Sequence, residues 1–211
     1  MSLIWALSLV FINVSAFVGA LCVQSHLSGA LPGLGLSQRA QGFLQWCSHT
    51  RTRWFLSTAC TISCQGITYL CISAADHSKQ NLIQYFRDSI MFIHESRLKG
   101  EGCLVHCMAG VSRSVTLVVA YIMTVTGHGW VESLAAVRSV RPCAGPNLGF
   151  LRQLEEFENT ELTEYRAWWK ELYGKSTFSD DEEIKALLNR KSSTSDAITT
   201  SITPALATSS K

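Results

Sequence analysis

Between Met1 and Gln38 the chain has no formally charged side chain, and its first positive charges are Arg39, Arg51 and Arg53. The stretch Leu3 to Val23 inside that region is predominantly apolar over about the length that spans a bilayer. Lacking a basic start, it makes an incomplete secretory signal, although the small residues Val18-Gly19-Ala20 would suit a cleavage site. As a membrane anchor it would leave the remainder in the cytosol, because the positive charges all follow it. A third reading is a non-native first exon that does not belong to the working fold.

Other absences narrow the function classes. No long run of Lys and Arg occurs, and the formal net charge is only +2, so no nucleic-acid partner is expected. The pairs Cys47-x-His49 and Cys60-x3-Cys64 lack a second well-spaced pair, which argues against a zinc module. No metal or other cofactor is expected. Disulfide frameworks serve chains too small for a core, whereas 211 residues at 47% apolar composition suffice for one domain of ordinary size. Reduced cysteines in a cytosolic protein are the plainer account of the eight present.

What the chain does have is concentrated at His106-Cys107-Met108-Ala109-Gly110-Val111-Ser112-Arg113-Ser114. The apolar run Cys103-Leu104-Val105 before it reads as a buried strand, and Val115 to Met123 after it as a buried helix. A loop at such a junction is an anion site. The first amides of a helix have no internal partner and carry the positive end of its dipole, and small residues such as Ala109 and Gly110 let the backbone curl around a tetrahedral oxyanion. A cysteine at the mouth of that loop is placed to ionise, since helix amides and a nearby Arg lower a thiol pKa. Arg113, six residues on, can hold two phosphate oxygens in its planar fork while the thiolate attacks phosphorus. A lone Cys, His or Arg would more simply be core or solvated surface; the nine residues together, between apolar strand and apolar helix, are a specific signal.

These residues, with Tyr69 to Asp76 and Arg141 to Phe150, resemble the small, atypical dual-specificity protein phosphatases of the cysteine-dependent protein tyrosine phosphatase superfamily. The JNK pathway-associated, or JNK-stimulatory, branch is the nearest in kind. The resemblance runs from about Gly66 to Phe178. It implies an α/β fold in which a central mixed, mostly parallel sheet is flanked by helices, with an atypical N-terminal part. Family members open with Met-Gly, a myristoylation signal; Ser2 stands in that place here, so the signal is absent. Leu31 to Leu36 faintly echoes the family's first strand, and Trp54 to Thr58 lies where the second belongs.

From Gly66 the pattern predicts a strand over Ile67 to Ile72 and a loop from Ser73 to Ser78 carrying Asp76; family members often have Pro in place of Ser73. An amphipathic helix follows over Lys79 to Lys99, with Leu82, Phe86, Ile90 and Ile93 inward. After the Cys103 to His106 strand and the central helix come a helix over Trp130 to Val140, closed by Arg141-Pro142, and another from Pro146 to about Tyr173. The latter carries the stripe Leu151, Leu154, Phe157, Leu162, Tyr165 and Trp168 or Trp169. Ser179-Asp180-Asp181-Glu182 fits a capping box opening a short helix to about Arg190. The chain thus divides into a hydrophobic segment 1–23, a segment 24–53 expected to be poorly ordered, a catalytic domain 54–178, the short helix 179–190, and a Ser/Thr-rich tail 191–211. The tail has too few large apolar residues to repay ordering.

The resemblance implies protein phosphatase activity toward phosphotyrosine and phosphoserine/threonine through a phosphocysteine intermediate. Cys107 would be the nucleophile, Arg113 the phosphate and transition-state binder, and the loop Met108, Ala109, Gly110, Val111, Ser112 and Arg113 the phosphate cradle. Asp76 matches the family's general acid/base by its place in the Ala-Ala-Asp loop, and Ser114 the hydroxyl that stabilises the departing thiolate. His106 orients the loop or is simply a satisfied core histidine; Asn147 braces the loops or simply starts a helix. The loop contains no Lys, which favours phosphoprotein over phosphoinositide substrates. Signalling proteins in JNK or MAP-kinase-type pathways are the expected partners, and the cytoplasm the expected location, with membrane association through residues 3–23 open. The competing reading is a non-catalytic phosphoprotein-binding module whose N-terminal strands are altered. A rhodanese-like sulfurtransferase would leave Asp76 and Ser114 without jobs.

Overall fold

The computed structural model of the chain describes residues 52–56 (backbone), 68–100, 102–175 and 177–190. The expectations for residues 1–51, for Ile67, and for the tail beyond 190 lie outside the described residues.

Three strands form the described sheet, in the order β2-β1-β3. Central β1 (Thr52–Leu56) pairs in parallel with β2 (Tyr69–Cys71) and with β3 (Gly102–His106), so that Leu56 lies opposite both Cys71 and His106. The part of the Trp54 to Thr58 expectation that is described is thus the middle of the sheet. All the described pairings are parallel, so the C-terminal ends of β2 and β3 open on the same edge, where open parallel sheets place their sites. The loop bearing Asp76 leaves one of those ends and the loop bearing Cys107 the other.

The connection from β2 to β3 passes through a 3-10 turn, Ile83–Tyr85, and α1 (Phe86–Leu98). Sequence periodicity predicts helix from Lys79 onward, but residues 79–82 form a loop. The reason is a competing set of bonds: Gln153 Oε1 accepts the Leu82 N–H at 2.7 Å, Gln153 Nε2 donates to the Gln80 carbonyl at 2.7 Å, and Asn81 Oδ1 accepts the Gln84 N–H at 3.3 Å. These side chains satisfy backbone groups that a first helical turn would otherwise occupy. The inward face holds as expected, with Leu82, Phe86, Ile90 and Ile93 all buried.

After β3, α2 (Arg113–Val125) is buried on every side except at Val125 and forms the centre of the molecule. Each of its fully buried aliphatic side chains contributes roughly 1.5–3 kcal/mol by leaving water. α3 (Trp130–Val140) occupies the predicted range. The long helix predicted over Pro146 to Tyr173 is instead two, α4 (Leu148–Thr160) and α5 (Leu162–Tyr173), separated at Glu161. The apolar stripe explains the break. The buried face of α4 is set by Phe150, Leu154 and Phe157, four and three apart, but the step to Leu162 is five residues, which in a continuous helix of about 3.6 residues per turn would carry Leu162 well off that face. Breaking the helix at Glu161 re-phases it, and Leu162 and Trp169 are buried.

The last described helix, α6, spans residues 180–190 and puts Ile184 and Leu187 into the same core. Glu183 N–H bonds the Ser179 carbonyl, as a helix start there requires. Asp180 does not face solvent in the first turn: it is buried and bridges Arg97 of α1 through two 2.7 Å bonds. Among the described residues no helix is long and apolar enough to cross a membrane.

Candidate active site

Cys107 follows the last residue of β3 and lies at the floor of the loop, 1% exposed. Gly110, at φ +63°, takes the left-handed turn that a side chain would resist and closes the loop on itself. Ser112 precedes α2 but does not cap it, its hydroxyl being committed elsewhere; the Ser114 amide in that first turn is instead directed at the Cys107 sulfur.

Burial raises the cost of a Cys107 anion. The Ser114 hydroxyl at 3.3 Å, the amides of Ser114 and Gly110 and the charge of Arg113 together outweigh it, and the thiol pKa lies below its ordinary value. His106 is buried, which pulls its pKa down to about 4 against the opposing hydrogen bond with the Cys107 backbone, so the ring is neutral at physiological pH.

Arg113 is held from behind. Its Nη1 donates to the Ala74 carbonyl at 3.0 Å, and its Nε stands 3.6 Å from Asp76 Oδ2. The two groups predicted to serve the reaction from opposite ends of the sequence motif set are therefore side by side. Asp76 Oδ1 accepts two hydrogen bonds, from Ser112 Oγ at 2.9 Å and from Asn147 Nδ2 at 2.9 Å. Asn147 Oδ1 accepts the Phe150 N–H at 3.0 Å and so caps α4, while its own N–H donates to Ser112 Oγ at 3.1 Å. In the loop that carries Asp76, Gln80 Oε1 accepts the Ala75 N–H and the Tyr85 hydroxyl donates to the Ser73 carbonyl, bracing the position where family members often carry Pro.

Met108 and Ala109 are exposed at the mouth of the loop, with Met108 58% accessible, and Val111 is half-buried. Two residues escape sequence reasoning. Gly149, in the first turn of α4, lies so close to the acid loop that a Cβ there would be 2.0 Å from the Ser78 carbonyl oxygen. Arg141, which the sequence shows as the end of α3 and the start of the stretch to Phe150 that resembles the family, sends Nε to the Gly110 carbonyl at 2.8 Å. A glycine in the first turn of a helix was the available signal for the former; for the latter it was only membership of the stretch from Arg141 to Phe150, which does not announce the contact with Gly110.

A low-pKa thiol at the floor of an anion loop, with an arginine fork and a carboxylate beside it, is the equipment of a cysteine-dependent phosphatase. The chain matches the family described as dual specificity phosphatase, catalytic domain, over residues 47–160, and belongs to it. It is 65% identical over 133 residues to dual specificity protein phosphatase 22-B of Danio rerio, covering 63% of this chain and 73% of that one. Dual specificity protein phosphatase 22 of Homo sapiens is 61% identical over 124 residues, covering 59% of this chain and 67% of that one. The crystal structure of DUSP15 superimposes with a TM-score of 0.58 at 41% identity, over 63% of this chain and 86% of that one. The chain is a dual-specificity phosphatase, a phosphoric monoester hydrolase with the α/β fold of that family, and no finding favours a non-catalytic role.

Proposed function

We propose that the chain removes phosphate from phosphotyrosine and phosphoserine/threonine side chains of proteins in two displacements at Cys107. The observation that carries this reading is the joining of three groups in one bowl: the acidified Cys107 thiol, Arg113, and Asp76 at 3.6 Å from the Arg113 Nε. In the first step Cys107 Sγ attacks phosphorus, the S–P bond forms, and the P–O bond to the substrate side chain breaks. The leaving oxygen takes a proton from Asp76. Because Oδ1 already accepts two bonds, Oδ2 is the oxygen free to hold that proton. In the second step Asp76 accepts a proton from water, the water oxygen attacks phosphorus, and Cys107 leaves as a thiolate received by the Ser114 hydroxyl. Inorganic phosphate and the resting enzyme result.

The loop amides and Arg113 meet charge on the equatorial oxygens as a preorganised electrostatic site. The absence of Lys in the loop and the exposed Met108 and Ala109 support a phosphoprotein in preference to a phosphoinositide. The resemblance supports signalling proteins of JNK or MAP-kinase-type pathways as substrates. A low-pKa thiolate supports a reducing compartment, hence the cytosol or the cytosolic side of a membrane. Fractionation with and without residues 3–23 separates those two locations.

Purified full-length protein should hydrolyse an aryl phosphate and a phosphotyrosine peptide in the presence of a chelator, and Cys107→Ser should abolish turnover while retaining phosphopeptide binding. Undiminished hydrolysis by that variant would overturn the proposal. Phosphopeptide binding by the wild type with no turnover would instead support a binding module.

A further inference from the structure

The phosphate bowl works only if consecutive peptide groups turn their N–H inward, and a trans, planar peptide then turns the preceding carbonyl outward. Outward carbonyls buried against protein need donors of their own. Two such carbonyls in the loop find them in a single segment. The Gly110 carbonyl accepts from Arg141 Nε at 2.8 Å, and the Val111 carbonyl accepts from the Gly145 N–H at 2.9 Å. The donor segment is itself fixed. The Arg141 N–H bonds the Val137 carbonyl at 2.8 Å, Pro142 keeps Arg141 out of the helical region (φ −136°, ψ 89°), and Arg138 Nε donates to the Ala144 carbonyl at 2.9 Å.

We propose that Arg141 is a positioning residue of the phosphate bowl. By holding the Gly110 carbonyl outward, it aims the Val111 N–H at the bound oxyanion, as the Gly145 N–H does for the Ser112 N–H through the Val111 carbonyl. The inference rests on the phosphatase reading of the loop but assigns a role to a residue outside the Cys-x5-Arg motif. It requires a donor at Arg141 Nε rather than a positive charge. Gly110 makes the requirement acute, because at φ +63° it has the backbone freedom to let its outgoing peptide turn over once the carbonyl is released.

Two substitutions separate donor from charge. Arg141→Gln places an amide nitrogen the same number of bonds from the backbone as Nε and removes the charge; Arg141→Met has the same reach and no donor. Vanadate inhibition, kcat/KM on an aryl phosphate and thermal midpoint would be measured for both variants and the wild type. Arg141→Met should weaken vanadate inhibition and lower kcat/KM by about tenfold or more, as for a compromised oxyanion donor, while Arg141→Gln should stay within about threefold of wild type. Equal losses in both variants would assign the effect to charge and overturn the proposal. So would unchanged vanadate inhibition in Arg141→Met, including the case where only its thermal midpoint falls. Failure of the phosphatase reading shows up separately, as a wild-type protein that binds vanadate and hydrolyses nothing.

Discussion

Asp180→Ala tests what joins the C-terminal helix to the catalytic core. Arg97 and Asp180 have side chains only 1% and 3% exposed, and they meet through Nη1–Oδ2 and Nη2–Oδ1 bonds of 2.7 Å each. The Tyr121 hydroxyl accepts a further bond from Arg97 at 2.7 Å, and the guanidinium lies 4.1 Å from the centre of the Phe178 ring. Removing the carboxylate leaves a buried cation facing aromatic rings and a hydroxyl, and breaking one partner of such a pair costs about 3–5 kcal/mol. A domain of this size is worth only about 5–15 kcal/mol in total, so the thermal midpoint should fall by roughly 10–20 °C. Urea unfolding followed by tryptophan fluorescence measures the loss, with Trp169 reporting from the edge of the His94 ring beside the pair. The double variant Arg97→Met/Asp180→Leu should recover most of it, because a buried ion pair and an apolar pair of similar volume are often equivalent. Activity of the folded single variant at low temperature should match the wild type. A loss below about 1 kcal/mol, within the range of an exposed ion pair, would refute the view that this pair seals the helix to the core.

Three further outcomes follow from the same geometry. His94 and His106 are both held neutral, each with its pKa pulled from 6.5 to about 4 chiefly by burial; the unfolded chain therefore takes up more protons at these two sites, and their contribution to stability should be fully present above about pH 6.5 and be lost as pH drops toward 4 in acid-titrated urea midpoints. Ser114→Ala removes the hydroxyl that stabilises the Cys107 anion, so the pH profile of iodoacetamide labelling should move to higher pH, and a phosphocysteine should accumulate in rapid-quench experiments because the thiolate departs less readily. Gly149→Ala would have to displace the Ser78 backbone from 2.0 Å to at least 3.0 Å, a shift of about 1 Å in the acid loop, and kcat should drop by about tenfold to a hundredfold with vanadate inhibition retained.

The bowl was readable because its chemistry is local: strand, nucleophile, small residues, arginine and helix follow one another without interruption from Cys103 to Met123. The burial stripe of α1 and the all-round burial of α2 were readable for the same reason, since each is a property of one segment. What escaped was everything fixed by distant partners. Gln153 unwinds the start of the predicted helix from 71 residues away, Asp180 reaches Arg97 from 83 away, and Arg141 reaches Gly110 from 31 away. Asp180 is instructive: its neighbours spell a capping box, and the helix does begin there, yet the carboxylate is spent on a buried cation that no local pattern announces. The break at Glu161 also escaped: it coincides with the five-residue step from Phe157 to Leu162, and good helix formers on both sides conceal it.

The short stretch from Arg141 to Gly149 holds both halves of the site. Its first part takes the outward carbonyls of the phosphate loop, and its second part, through Asn147 and Gly149, carries the acid loop. The Ser112 hydroxyl ties the two together, since it donates to Asp76 and accepts from the Asn147 N–H. Nucleophile loop, acid and brace thus form one polar network in which each bond polarises and orients the next. Groups that share partners in this way do not contribute independently. Loss of Asn147 and loss of the Ser112 hydroxyl should therefore cost little more together than either does alone, whereas each should add to a change at the remote Arg97–Asp180 pair.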